Sequence, residues 1–208
     1  MARLNIAPTR SNQIALKRDL AMATEGFNLL EQKREILVME LMRLVDRVRE
    51  LQKEVDRRRG QAYDTLRKAV ARNGYHHMRN VGAGVQYEHR VTTGTHVTAG
   101  VRVPAIKAEH GKLSTQFGFA TTDSLVDQTM RDFLALLEVV GQLAEIETAI
   151  WLLARELKKT QRRVNALEQI FIPDFSETLR HIGESLESKD LESFFLRKMV
   201  KRNKQEKG

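Results

Sequence analysis

Cysteine is absent from these 208 residues, so neither a disulfide framework nor a thiolate metal site is available. That fits a reducing, cytoplasmic setting. Prolines number three, at Pro8, Pro104 and Pro173. Aromatic residues make up 6% of the chain against 30% charged residues, a balance that suits a coiled coil better than a globular enzyme. A bilayer-spanning helix needs about 20 mostly uncharged apolar residues. The most apolar stretch, residues 133–154, carries Glu138, Glu145 and Glu147, so it reads as a packing seam and not as a membrane span. The opening MARLNIAPTRSNQIALKRD lacks the apolar core of a secretory signal. Acidic residues fall short of basic ones, 27 against 35, leaving a net charge of +8. Such an excess favours an acidic partner: nucleic acid, a membrane surface or an acidic protein cavity.

What is present is periodicity. Positions 136, 139, 143, 146, 150, 153, 157, 160, 164, 167 and 171 step by alternating threes and fours. Apart from Thr160 they are all apolar: Leu136, Val139, Leu143, Ile146, Ile150, Leu153, Leu157, Val164, Leu167 and Phe171. That is a heptad stripe, the pattern of a helix that buries one seam against another helix. A second stripe runs from Leu16 to Val55 and includes Leu30, Leu37, Leu44 and Leu51, with Arg34 breaking it. Arg34 is read as carrying its charge outward along its own stem; pairing across the seam to fix register is the alternative.

Two matching seams with different sequence between them predict a mainly α fold. It is a long antiparallel two-helix coiled coil whose middle segment contains a short β-hairpin. The expected divisions are residues 1–75 for the first helix, 76–122 for the middle segment and 123–208 for the second helix. The first helix, capped at Ser11 or Asn12 and stopped at Asn73-Gly74, would span roughly 90 Å at about 1.5 Å per residue. Partner residue numbers would sum to roughly 197, setting Leu44 near Leu153.

In the middle, Val85, Tyr87, His89 and Val91, then Val97, Ala99, Val101 and Val103, alternate with polar residues. This reads as a hairpin turning at Thr93-Gly94-Thr95-His96 and ending at Pro104, with a polar loop over 107–114. A lone hairpin is marginal in water, so it should lean on the helices or on a partner. The second helix should start near Asp123 or Ser124, with Ser124 and Asp127 resembling a capping box. It should kink or restart at Pro173 and run to about Val200, with apolar spacing resuming at Leu179, Ile182 and Leu186. Beyond 190 it overhangs as a basic tail, with Arg197, Lys198, Lys201, Arg202, Lys204 and Lys207.

Chemistry is hard to place. Gly111-Lys112-Leu113-Ser114 fails the phosphate-loop pattern at Ile106 and Leu113, and Gly82-Ala83-Gly84 is too short for a dinucleotide fingerprint. His76, His77, His89, His96 and His110 show no ligand spacing on a helix face and read as polar surface residues. No catalytic, cofactor or metal residue is assigned, and no cofactor is expected. The basic tail lacks interleaved aromatics for stacking bases.

Two stretches carry a family resemblance. One holds Pro8-Thr9-Arg10, Lys17-Arg18, Leu29-Leu30 and Lys33-Arg34. The other holds Arg162-Arg163-Val164-Asn165-Ala166-Leu167-Glu168 and Ile172-Pro173. Gly100 with Val101-Arg102-Val103-Pro104 and the closing LESFFLRKMVKR add to it. Together they resemble the D subunits of the V-type and A-type rotary ATPases. The resemblance implies a non-catalytic central rotor shaft, cytoplasmic and peripheral to the membrane, that couples ATP hydrolysis or synthesis to proton or sodium transport. Its implied partners are a ring of catalytic A and regulatory B subunits, the F subunit alongside, and a socket subunit above the membrane rotor ring. No nucleic acid and no direct membrane insertion are implied. Interface residues are then expected at Arg10, Arg162, Arg163, Asn165, Glu168, Lys198, Lys201 and Arg202. Seam residues are expected at Leu30, Leu37, Leu44, Leu51, Leu143, Ile150, Leu157 and Val164. The rival readings are a basic coiled-coil protein that binds nucleic acid and a chaperone-like holdase.

Overall fold

The computed structural model describes residues 4–85, 89–110 and 123–205. Its elements are α1 (Arg10–Asn73), α2 (Tyr75–Gly84), β1 (His89–Thr98), β2 (Val101–His110), α3 (Ser124–Ala166), a π turn (Leu167–Phe171) and α4 (Ile172–Gln205). The two long helical regions and the hairpin between them are as expected. The chain divides into two compact units, residues 1–35 with 158–208, and residues 36–157.

The cap of α1 is Thr9, not Ser11 or Asn12: its Oγ1 accepts the Asn12 backbone N–H at 3.2 Å. Pro8 directly before it cannot donate and has a fixed φ, and the first helical turn starts two or three residues earlier than expected. Asn12 instead donates from its side chain to the Ala7 carbonyl at 2.8 Å. At the other end Gly74 has φ 80° and its N–H bonds Val70 O at 2.9 Å. This is the left-handed stop that glycine tolerates best. The chain re-enters a helix at once, and α2 extends to Gly84 where the middle segment was expected to begin turning to strand.

The hairpin exists, but its turn lies elsewhere. Thr98 pairs with Val101 across Ala99-Gly100, whose φ values are 51° and 76°. Two consecutive positive φ values make the tight turn whose twist matches its strands. Gly94, which drew the turn to 93–96 in the sequence, sits inside β1 opposite Ala105. Pro104 does not end β2 but lies within it, opposite Thr95. Each strand of a two-stranded ribbon has an open edge, where a missing N–H breaks no ladder bond. Strand β2 takes in residues 107–110 of the expected loop; 111–114 lie outside the described residues, as does Tyr87.

In the unit of residues 36–157, Leu37, Leu51, Ala62 and Ala69 of α1 are buried, as are Val126, Val139, Ala149 and Leu153 of α3. The rings of Tyr63 and Phe133 meet edge to face at 5.5 Å. A buried acid, Asp132, accepts from Gln61 at 3.4 Å and Thr65 at 3.0 Å on α1, and from Gln128 at 2.9 Å on α3. At the end of the helix pair Arg72 meets Asp123 at 2.8 Å. Asp123 also accepts the Ser124 backbone N–H at 2.7 Å, and its backbone carbonyl accepts the Val126 N–H at 2.9 Å, so Asp123 rather than Ser124 stands directly before the first turn of α3. The hairpin rests on this helix pair. Val103 is 1% exposed, and with His96 and Thr98 it lines a small cavity shared with Leu44, Ile146, Ala149 and Leu153.

In the unit of residues 1–35 and 158–208, Leu16, Thr160, Val164, Thr178 and Ile182 are buried. The extended residues before α1 are tied down by Leu4 N–H bonding Thr178 Oγ1 at 3.1 Å. Arg34 does not carry its charge outward. It donates to Gln161 across the seam at 3.2 Å and pairs with Glu31 on its own helix. A guanidinium held between two fixed acceptors loses less by staying half-buried than by stretching to water. Within each unit, Arg34 with Gln161 and Arg72 with Asp123 follow the expected antiparallel numbering closely.

Candidate interaction surface

Of the seam residues expected from sequence, Leu37, Leu51 and Val164 are buried, and Leu30, Leu44, Leu143, Ile150 and Leu157 are half-buried. They form the support; the surface lies on what they leave outside. Arg162 and Arg163 are exposed in the last turn of α3. Asn165 is exposed and held by Gln161, which donates to its Oδ1 at 2.6 Å. Since Gln161 also receives Arg34, a hydrogen-bonded line runs from the seam to the surface beside the two arginines.

Glu168 follows in the π turn, exposed. That turn replaces regular helix just before Pro173: Ile172 N–H bonds Leu167 O, five residues back. A proline removes one backbone donor and crowds the carbonyl four residues before it. A wider turn relieves that crowding without ending the helix. Phe171, expected in the seam, is 47% exposed, and Ile170 beside it is 54% exposed.

The tail forms the second patch. Phe194, Phe195, Leu196, Met199 and Val200 are exposed alongside Arg197, Lys198, Lys201 and Arg202. Arg10, at the start of α1, pairs with Asp190 at 2.6 Å rather than standing alone. That ion pair joins the first helical residue to the base of the tail. Sequence reasoning placed the basic residues of these patches but missed Ile170 and Phe171, because heptad spacing counts Phe171 as seam. It also missed Trp151, 77% exposed on α3.

Elsewhere on α1, Arg57 and Arg58 hydrogen-bond Glu54 and draw its carboxyl down from the ordinary 4.5 to about 2. The hydrogen bond from Arg43 lowers Glu40 in the same way. These pairs lie one helical turn apart on the outer face and stabilise the helix locally. His76 and His77 lie on α2 and His96 on β1. Among the described residues no three His, Asp or Glu side chains group so as to hold a metal ion. No helix of the described residues is long and apolar enough to cross a membrane.

These features define a class: long helical regions that pair antiparallel within each unit, with a hairpin on one of them, and charged and apolar residues exposed on their surface. The chain belongs to the family of ATP synthase D subunits, whose pattern matches residues 12–202. It is 35% identical over 198 residues to the D subunit of the V-type ATP synthase of Thermotoga neapolitana, covering 95% of this chain and 98% of that protein. Identity to the second D subunit (D 2) of the V-type ATP synthase of Treponema pallidum is 37% over 199 residues, covering 96% and 95%. The D subunit of the A-type ATP synthase of Pyrococcus horikoshii is 35% identical over 201 residues, covering 95% and 94%. The chain is thus one component of a V-type/A-type ATP synthase.

Proposed function

We propose that this chain is the central rotor shaft of its ATPase, with no active site of its own. Its tail enters the cavity of a ring of catalytic A and regulatory B subunits. The F subunit binds alongside, and the end near residues 73–123 docks on a socket subunit above the membrane rotor. The observation that carries the reading is the family match over residues 12–202. A continuous helix of 64 residues and a tail that is both basic and apolar support it. An asymmetric shaft meets the A–B pairs of a ring differently at any moment. Each nucleotide state then favours one shaft angle, and differential binding becomes rotation coupled to proton or sodium transport. Arg162, Arg163, Asn165, Glu168, Lys198, Lys201 and Arg202 supply polar contacts that re-form at each angle.

The test is co-expression with the A, B and F subunits of the same genome, followed by size exclusion and an ATPase assay. Comigration with the F subunit and a ring whose ATPase rate changes with the chain present are the expected results. A chain that ignores the ring and binds DNA in a salt-dependent way would overturn the reading. Reversing Arg162 and Arg163 to Glu together should slow ATP-driven rotation of the reconstituted complex; unchanged rotation would remove them from the contact.

A further inference from the structure

The seam of the second helical region changes frame at the π turn. Up to it the seam runs through Leu157, Thr160, Val164 and Leu167. Continued at heptad spacing, it would pass through Phe171, Asp174, Thr178, His181 and Ser185, and four of those five are polar. Moved on by one residue, it passes through Ile172, Phe175, Leu179, Ile182 and Leu186, and all five are apolar. Exposure separates the two frames at the turn itself, where Phe171 is 47% exposed and Ile172 is half-buried. Farther on, Asp174, His181 and Ser185 are half-buried like Phe175, Leu179 and Leu186, and the fully buried large apolar residue is Ile182 of the moved frame. Thr178 is buried for a different reason, since it receives the Leu4 backbone N–H.

A π turn holds one residue more than the α turn it replaces, over nearly the same rise. An added residue in a heptad pattern otherwise rotates everything after it by about 100°. The Ile172-to-Leu167 bond is where that residue is taken up. We propose that the π turn at Leu167–Phe171 is a phase corrector: it absorbs one inserted residue so that α4 keeps its seam on α1 with no change of register. Pro173 is compatible with the turn but does not by itself require it. Seam frame and backbone bonding carry this role whether or not the chain is a shaft.

The absence of cysteine makes the test clean. Leu16→Cys and Ile182→Cys, both buried in the same unit, form a reporter pair, because a disulfide closes only when the Cα atoms lie within about 7 Å. The full-length reporter chain should close on mild oxidation. Deleting Gln169, an exposed residue of the turn, removes the extra residue. Closure should persist, and the melting temperature should stay within a few degrees. Deleting Arg180, exposed in regular helix, leaves the seam out of frame. That variant should lose closure and melt markedly lower. If the Gln169 deletion fails as badly as the Arg180 deletion, the turn is not a phase corrector. If both deletions are tolerated, the seam is not frame-sensitive and the proposal falls. A reporter that never closes in the otherwise native chain overturns it as well.

Discussion

The two units cross their seams with opposite charges. In residues 1–35 with 158–208 the polar crossing is a cation, Arg34, held by Glu31 and Gln161 and half-buried. In residues 36–157 it is an anion, Asp132, 8% exposed and bonded by the neutral groups of Gln61, Thr65 and Gln128. The difference follows from side-chain length. An arginine is long enough to reach acceptors on both helices, here Glu31 and Gln161. An aspartate at a seam position cannot reach water, so donors must come to it. The neighbouring α1 residues Ala62 and Ala69 are small and buried, which lets the helices close around the short acid.

A charge placed where neither unit has one should disturb them most. Leu153→Asp in the larger unit should cost several kcal/mol, because the position is 0% exposed and apolar. Ile182→Asp should do the same in the other unit. Thermal melts by circular dichroism read both, and an unchanged melt for either would remove that residue from its seam. Next in size is Leu37→Ala, at about 2–5 kcal/mol for a fully buried leucine. Leu44→Ala should cost less, since Leu44 is only half-buried beside the hairpin cavity.

The crossings themselves separate two outcomes. Asp132→Ala removes the acceptor shared by Gln61, Thr65 and Gln128 and opens a gap at a buried position, and should cost about 1–3 kcal/mol. Asp132→Leu loses the same acceptor but fills the gap with apolar atoms, so it should cost less than Asp132→Ala. Arg34→Ala should cost only about 1 kcal/mol, because its side chain keeps 32% exposure. Equal effects of Asp132→Leu and Asp132→Ala in denaturant titrations would mean that filling the gap gains nothing and that the lost acceptor carries the whole cost.

The smallest effect is acid-dependent and lies outside both seams. Glu54 titrates at about 2 because Arg57 and Arg58 hold it ionised. A depressed carboxyl contributes stability that is present above its ordinary 4.5 and is lost as pH falls toward about 2. Native chain and Glu54→Gln should therefore differ slightly at neutral pH and converge as the medium is acidified through that range. A difference that persists below it would place the effect elsewhere.

Much of the fold was legible in the sequence where leucine carried it. The heptads through Leu37, Leu51 and Leu153 mark the helix pair because large apolar residues recur there. The same seam continues through Ala62, Thr65 and Ala69 against Thr129 and Asp132, where no residue announces itself as core. Periodicity of apolar residues cannot see a seam closed by small groups and hydrogen bonds. The hairpin was legible as alternation, but its turn was not, because Ala99 at φ 51° is an unusual choice for a left-handed position. Of the surface patches, the basic residues could be named by type. The outward Ile170 and Phe171 could not, since a π turn leaves no motif and shows only as a skipped step in the heptads.

Pro104 has a consequence for how this protein behaves when crowded. A two-stranded ribbon offers two unpaired edges, and such edges template aggregation by accepting strands from other molecules. The ladder runs unbroken through Thr95 and Pro104, so the donor that proline lacks is missing from the outer edge of β2. An incoming strand would meet a gap in the middle of that edge and could not zip along it. With Val103 seated on the helices, the hairpin serves as a brace rather than a seed for fibrils.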